Sequence, residues 1–182
     1  PSEISTYLIA SPIIRKVSFT GSTAVGREIG RLAADGIKRV TLELGGHAPV
    51  LVLDDADVEK AAAISAAFKF RNAGQVCIAP TRFYVHDKVH DDFVDSLSAK
   101  ASALKVADGL SEGAQMGPMA NPRRPEAMES LIGDAVTAGA RVATGGESGA
   151  NRGFFWQPTV LADVPETARI MNEEPFGPVA VV

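Results

Sequence analysis

Apolar runs of strand length alternate with helical stretches from one end of this chain to the other, and that alternation restricts it to an α/β fold. Residues 16–19 (Lys16-Val17-Ser18-Phe19) read as a strand, about 22–34 as a helix, and 39–43 as a second strand. Strand, helix and strand in that order form a right-handed crossover between parallel strands. The crossover places Gly21 and Ser22 where a strand ends and a helix begins, a position whose free N–H groups favour anions.

The same alternation continues. Residues 49–53 read as a strand, Asp54 and Asp55 as a turn, and Asp57 as the cap of an alanine-rich helix reaching about Arg71. A loop holding Cys77 follows, then a strand over 81–85, a helix over about 88–104 and a Gly/Pro-rich loop over 113–125. Beyond it come a helix over about 126–138, a strand over 140–144, a loop over 145–153 and an extended stretch over 154–161, where Pro158 favours a sheet edge. The last apolar run, 178–182, would be a bare terminal strand open to aberrant pairing, so the sequence is expected to be an internal fragment of a longer chain. Gly45-Gly46 is the expected domain boundary, giving domains 1–45 and 46–182.

With 182 residues, 46% of them hydrophobic, the chain can bury a substantial core. Its formal charge of -4 argues against nucleic-acid binding, which needs clustered Lys and Arg. No apolar run approaches a membrane span, and the N-terminus lacks the pattern of a signal peptide, so a cytosolic location is the default expectation. The single cysteine cannot form an internal disulfide.

That cysteine, Cys77, ends the run Phe70-Arg71-Asn72-Ala73-Gly74-Gln75-Val76-Cys77. A lone cysteine is most often inert core, but Asn72, Gly74, Gln75 and Pro80 are poor core formers and place Cys77 in a loop. Glu43, in Leu42-Glu43-Leu44-Gly45-Gly46, could simply pair with Lys38 or Arg39. Read together, a thiolate that attacks a carbonyl and a carboxylate that activates water make a nucleophile and a general base. As a base, Glu43 should be partly desolvated.

Both runs resemble signature segments of the aldehyde dehydrogenase superfamily, as do Phe19-Thr20-Gly21-Ser22-Thr23 and Glu173-Glu174-Pro175-Phe176-Gly177-Pro178. The likeness is nearest to the branch acting on succinate semialdehyde and related short semialdehydes. It implies a catalytic domain with a mostly parallel sheet flanked by helices, preceded by the last βαβ part of a Rossmann-like cofactor-binding domain. It further implies oxidation of an aldehyde to an acid with NAD or NADP, Cys77 carrying the thiohemiacetal and thioacyl group and Glu43 activating water. Thr20, Gly21, Ser22 and Leu44 would line the cofactor. Glu174 would hold the nicotinamide ribose, with Phe176 packed against it. The parent enzyme would be a homodimer or homotetramer acting on a small aldehyde, without nucleic-acid or membrane partners. A coenzyme A-acylating relative and a catalytically silent folded module are the competing readings.

Other patterns fall short. Gly21 and Gly26 have P-loop spacing, but Arg27-Glu28 stands where Lys and a hydroxyl residue are required. His86 and His90 have a metal-like separation without the helix that would align them, and Asp55, Asp57 and Glu59 lack the Gly and distal Glu of a calcium loop. A Cys–His protease pairing Cys77 with His47 fits less well than aldehyde oxidation.

Overall fold

The computed structural model describes residues 2–149 and 153–182. The chain divides into two units, Pro1–Gly46 and His47–Val182. The middle of the loop read over 145–153 lies outside the described residues.

In the first unit, helix α1 (Ser2–Ala10) precedes strand β1 (Lys16–Gly21), helix α2 (Thr23–Asp35) and strand β2 (Arg39–Leu44). Strands β1 and β2 are parallel, with Thr20 opposite Glu43 and Gly21 opposite Leu44. Ser22 caps α2, its hydroxyl accepting from the Val25 N–H at 3.4 Å. Ile29 and Ala33 of α2 are buried with Ile9, against Val17, Phe19, Val40 and Leu42 of the strands. Side chains alternate along a strand, so the inward set of β2 is Val40, Leu42 and Leu44.

The second unit is a five-stranded sheet ordered β3-β4-β7-β6-β5, flanked by helices. Its elements are β3 (Ala48–Val52), α3 (Val58–Lys69), β4 (Pro80–Val85), α4 (His90–Ser102), α5 (Arg123–Ala138), β5 (Arg141–Thr144), β6 (Thr159–Ala162), α6 (Arg169–Asn172) and β7 (Val179–Val181). Every pairing is parallel except β5 with β6. The core gathers Phe70, Leu97, Met128, Leu161 and Ile170 around the sheet, with the Phe83 and Phe93 rings tilted at 5.7 Å.

Three expectations are corrected here. The final run is not a bare strand: β7 lies between β4 and β6, and Val179, Ala180 and Val181 are almost wholly buried. Pro158 does not mark an edge, because it precedes β6 instead of interrupting it; β6 is buried throughout, and of the run 154–161 only 159 onward is strand. The helix expected to reach Arg71 stops at Lys69. Asn72, Ala73 and Gly74 then take positive φ values of 52°, 52° and 67°, a single left-handed turn that an α-helix cannot continue into.

Asp57 does cap α3, its carboxylate accepting from the Lys60 N–H at 3.0 Å. Asp57→Ala is expected to cost about 1 kcal/mol, read as a lowered unfolding midpoint in denaturant with an unchanged slope.

Candidate active site

Chain direction decides where the candidate residues collect. Because β3, β4, β7 and β6 are mutually parallel, the segments entering them lie along one amino edge of the sheet. That edge receives His47, the Cys77 loop, the 173–178 loop and Pro158. In the first unit the corresponding residues leave the strands instead: Thr20, Gly21 and Ser22 at the carboxyl end of β1, Glu43 and Leu44 at that of β2.

Cys77 is exposed. It sits in a turn closed by the Ala79 N–H donating to the Val76 carbonyl at 2.9 Å, with Ile78 beside it also open to solvent. Among the described residues no acceptor takes the backbone N–H of Cys77. The loop behind it is held by reciprocal amide bonds. Asn72 Nδ2 donates to the Gln75 carbonyl at 3.1 Å, Gln75 Nε2 donates to the Asn72 carbonyl at 3.2 Å, and Gln75 Oε1 accepts from the Ala120 N–H at 2.9 Å. These bonds offset the strain of left-handed backbone at Asn72 and Ala73, neither of which is glycine.

Gly74 lets this loop lie directly on the other signature segment. A Cβ at Gly74 would fall 2.0 Å from the Gly177 carbonyl oxygen. Gly177 is as tightly placed, since a Cβ there would meet the Met128 sulfur at 2.3 Å. Phe176, just before Gly177, has φ 41°, rare for a bulky residue, and the residue remains 36% exposed. Glu173 and Glu174 part company. Arg169 takes both oxygens of Glu173, at 2.9 and 3.1 Å, and that bonding holds the Glu173 carboxyl below its usual range. Glu174 is half-buried and keeps its oxygens unclaimed among the described residues.

Glu43 is exposed, whereas a partly desolvated carboxylate was expected. The alternation of β2 explains this: Val40, Leu42 and Leu44 turn inward, so Arg39, Thr41 and Glu43 turn out. Leu44 is packed onto α2 at Gly26, where a Cβ would meet its methyl at 2.6 Å.

His47 is not placed to serve as the base of Cys77. Its Nε2 lies 2.7 Å from the Ile170 carbonyl, Arg82 donates to its backbone carbonyl at 2.7 and 3.1 Å, and its Nδ1 is buried without a partner among the described residues. Burial lowers its pKa despite the Ile170 carbonyl, keeping the imidazole neutral. His86 caps the short turn Asp87–Val89 by accepting from the Lys88 N–H, and His90 pairs with Asp91 at 2.9 Å.

Two residues near the site were passed over in the sequence. Lys69, the last residue of α3, is 1% exposed, and burial pushes its pKa down to about 7 against the pull of Glu174. A signal existed, since Ala62, Ser65, Ala66 and Lys69 form one helical stripe, all buried. Arg124 donates to the Pro175 carbonyl through Nη2, and its Nε is buried without an acceptor among the described residues. Nothing in its sequence neighbourhood marks it.

Each unit, taken by itself, presents groups of a recognisable donor and acceptor type. The amino end of α2 offers N–H groups suited to a pyrophosphate, and Glu174 with Phe176 offers a carboxylate for a diol beside an exposed ring.

The aldehyde dehydrogenase family model matches residues 1–182. A putative 4-(hydroxymethyl)benzenesulfonate dehydrogenase of Comamonas testosteroni is 52% identical over 99% of this chain and 37% of its own length. The NADP-dependent succinate-semialdehyde dehydrogenase of Escherichia coli K12 is 46% identical, over 97% of this chain and 37% of its own. The crystal structure of succinate-semialdehyde dehydrogenase from Burkholderia pseudomallei superposes with a TM-score of 0.97 at 46% identity, covering all of this chain and 38% of that one. The chain thus spans a little over a third of the length of the relatives it matches. From Thr20 to Pro178 the signature segments stand on a fold shared with these enzymes, and the chain belongs to the aldehyde dehydrogenase family.

Proposed function

We propose that the protein oxidises an aldehyde bearing a remote anionic group to the carboxylic acid, with NAD or NADP as the oxidant. The observation that carries this reading is Cys77, displayed at an exposed turn braced against the Glu174 loop, its N–H without an acceptor among the described residues.

The Cys77 thiolate adds to the aldehyde carbon. The new S–C bond takes the electron pair of the sulfur, and the carbonyl π pair moves to oxygen, where the Cys77 N–H donates to the developing charge. A bound nicotinamide supplies the acceptor for the hydride. Glu43 then takes a proton from water as its oxygen attacks the thioacyl carbon, and the thiolate leaves. In this reading residues 1–45 are the end of a cofactor-binding domain, Thr20, Gly21, Ser22 and Leu44 lining the cofactor, and 46–182 belong to the catalytic domain with Glu174 and Phe176 at the ribose.

The anionic group follows from the substrates named for relatives, a sulfonated benzyl alcohol and succinate semialdehyde. Arg71 is the exposed cation on the turn leading to Cys77. The test is aldehyde-dependent formation of reduced cofactor by the intact protein, with the free acid identified as product. An acyl-CoA product would transfer the reading to the coenzyme A-acylating class, and no turnover of any aldehyde would leave a silent module. Arg71→Ala is expected to raise KM for succinate semialdehyde about 10- to 100-fold while changing KM for an uncharged aldehyde little, as loss of a charge-assisted contact requires.

A further inference from the structure

Glu174 is the one carboxylate of the 173–178 loop not consumed by an arginine fork, and what surrounds it is unusual. Lys69 approaches from the end of α3, its side chain almost wholly buried. Arg124 approaches from α5, fastened to the Pro175 carbonyl beside Glu174. Glu174 acts electrostatically on both cations. The segments carrying Lys69 and Glu174 are in backbone contact through Gly74 and Gly177, so their separation is set by packed main chain. Desolvating a lysine is costly, and the attraction of the Glu174 carboxylate opposes that cost.

We propose that Lys69 is a positioning residue for the cofactor: from inside the protein it orients the Glu174 carboxylate toward the vicinal hydroxyls of the ribose. This rests on the reading of Glu174 as the ribose ligand. A buried ammonium acts on one side of the carboxylate and leaves the other free to accept two hydrogen bonds from a diol. Arg124 fixes the loop backbone, and the neutral His47, held by Ile170 and Arg82, is the other titratable group facing Lys69.

The arrangement carries a pH dependence. With its pKa lowered to about 7, Lys69 is charged below neutrality and loses its proton above it. Its hold on Glu174 is therefore present in mild acid and absent in mild base, so cofactor affinity falls as pH rises.

The experiment measures the dissociation constant of the reduced cofactor on the intact protein from about pH 6 to pH 9, in a Cys77→Ala background so that the thiol contributes nothing to the profile. The Lys69-bearing protein should bind about 3- to 10-fold more weakly at the upper end. Lys69→Arg should bind tightly with a flat profile, and Lys69→Met weakly with a flat profile. Adding Lys69→Met to Glu174→Gln should cause no further loss. A flat profile in the Lys69-bearing protein, or a folded Lys69→Met variant that keeps its affinity and pH dependence, overturns the proposal, and the first of these stands even if Lys69→Met fails to fold. If Glu174→Gln binds cofactor normally, the ribose reading fails and the proposal with it. If Glu174→Gln weakens binding while Lys69→Met does not, only the role of Lys69 is lost.

Discussion

Cys77→Ala in the intact protein is expected to abolish aldehyde oxidation, lowering kcat by about 10⁴-fold or more, because no other group among the described residues combines nucleophilicity with this placement. The thiol stands exposed in a turn closed from Ala79 N–H to the Val76 carbonyl, and the Cys77 N–H has no acceptor among the described residues. A donor with no competing acceptor stabilises an oxyanion when it forms, and one such donor is typically worth about 100- to 1,000-fold in rate. Glu43→Gln makes a sharper contrast than a second dead variant would. If Glu43 acts in hydrolysis of the thioacyl group, its loss should slow steady-state turnover about 100- to 10,000-fold and leave the first turnover fast. Rapid mixing would then show a burst of reduced cofactor with Glu43→Gln and none with Cys77→Ala. Undiminished turnover by Cys77→Ala would remove the basis of the proposed function. A missing burst with Glu43→Gln would move Glu43 to an earlier step.

How much of this was legible in the sequence follows from the range over which each feature is decided. The βαβ order and the Asp57 cap depend on side chains within a few residues of each other, and they stand where the sequence puts them. Strand order does not. Residues 179–181 read as an exposed terminal strand because nothing local announces that β4 and β6 will receive them on both sides. Pro158 misled for a related reason: proline is excluded from the interior of a ladder but not from the residue before one. The left-handed turn at Asn72–Gly74 was hidden because Ala73 carries no preference for such backbone, and its conformation is imposed by the Asn72–Gln75 bonds and the anchor at Ala120. The amino-edge location of Cys77 also runs against the usual siting of ligands at the carboxyl ends of parallel strands, the end at which Thr20 and Glu43 of the first unit stand.

Gly74→Ala is expected to have the largest effect on stability of any single methyl added to the described glycines of the second unit. The new Cβ would fall 2.0 Å from the Gly177 carbonyl oxygen, 2.4 Å from its carbon and 2.9 Å from the Pro178 nitrogen, and all three are main-chain atoms that cannot rotate away. The residue also has φ 67°, which a Cβ disfavours. Left-handed strain of about 1–2 kcal/mol and overpacking of about 1–3 kcal/mol act in the same direction, so a loss of about 2–5 kcal/mol is expected. Gly133, within α5, is the control: beyond its own helix backbone nothing lies within 4 Å of its added Cβ, and Gly133→Ala should gain about 0.5–1 kcal/mol from helix propensity. Denaturant unfolding of both variants in the intact protein reads the difference in sign. Because Gly74 joins the Cys77 loop to the Glu174 loop, the functional consequence is also specific. Under conditions where Gly74→Ala remains folded, alkylation of Cys77 should change in rate and cofactor binding should weaken, whereas Gly133→Ala should leave both as they are. Equal stability of the two variants would mean that the backbone contact between Gly74 and Gly177 relaxes at little cost, and that the two signature loops are not rigidly coupled.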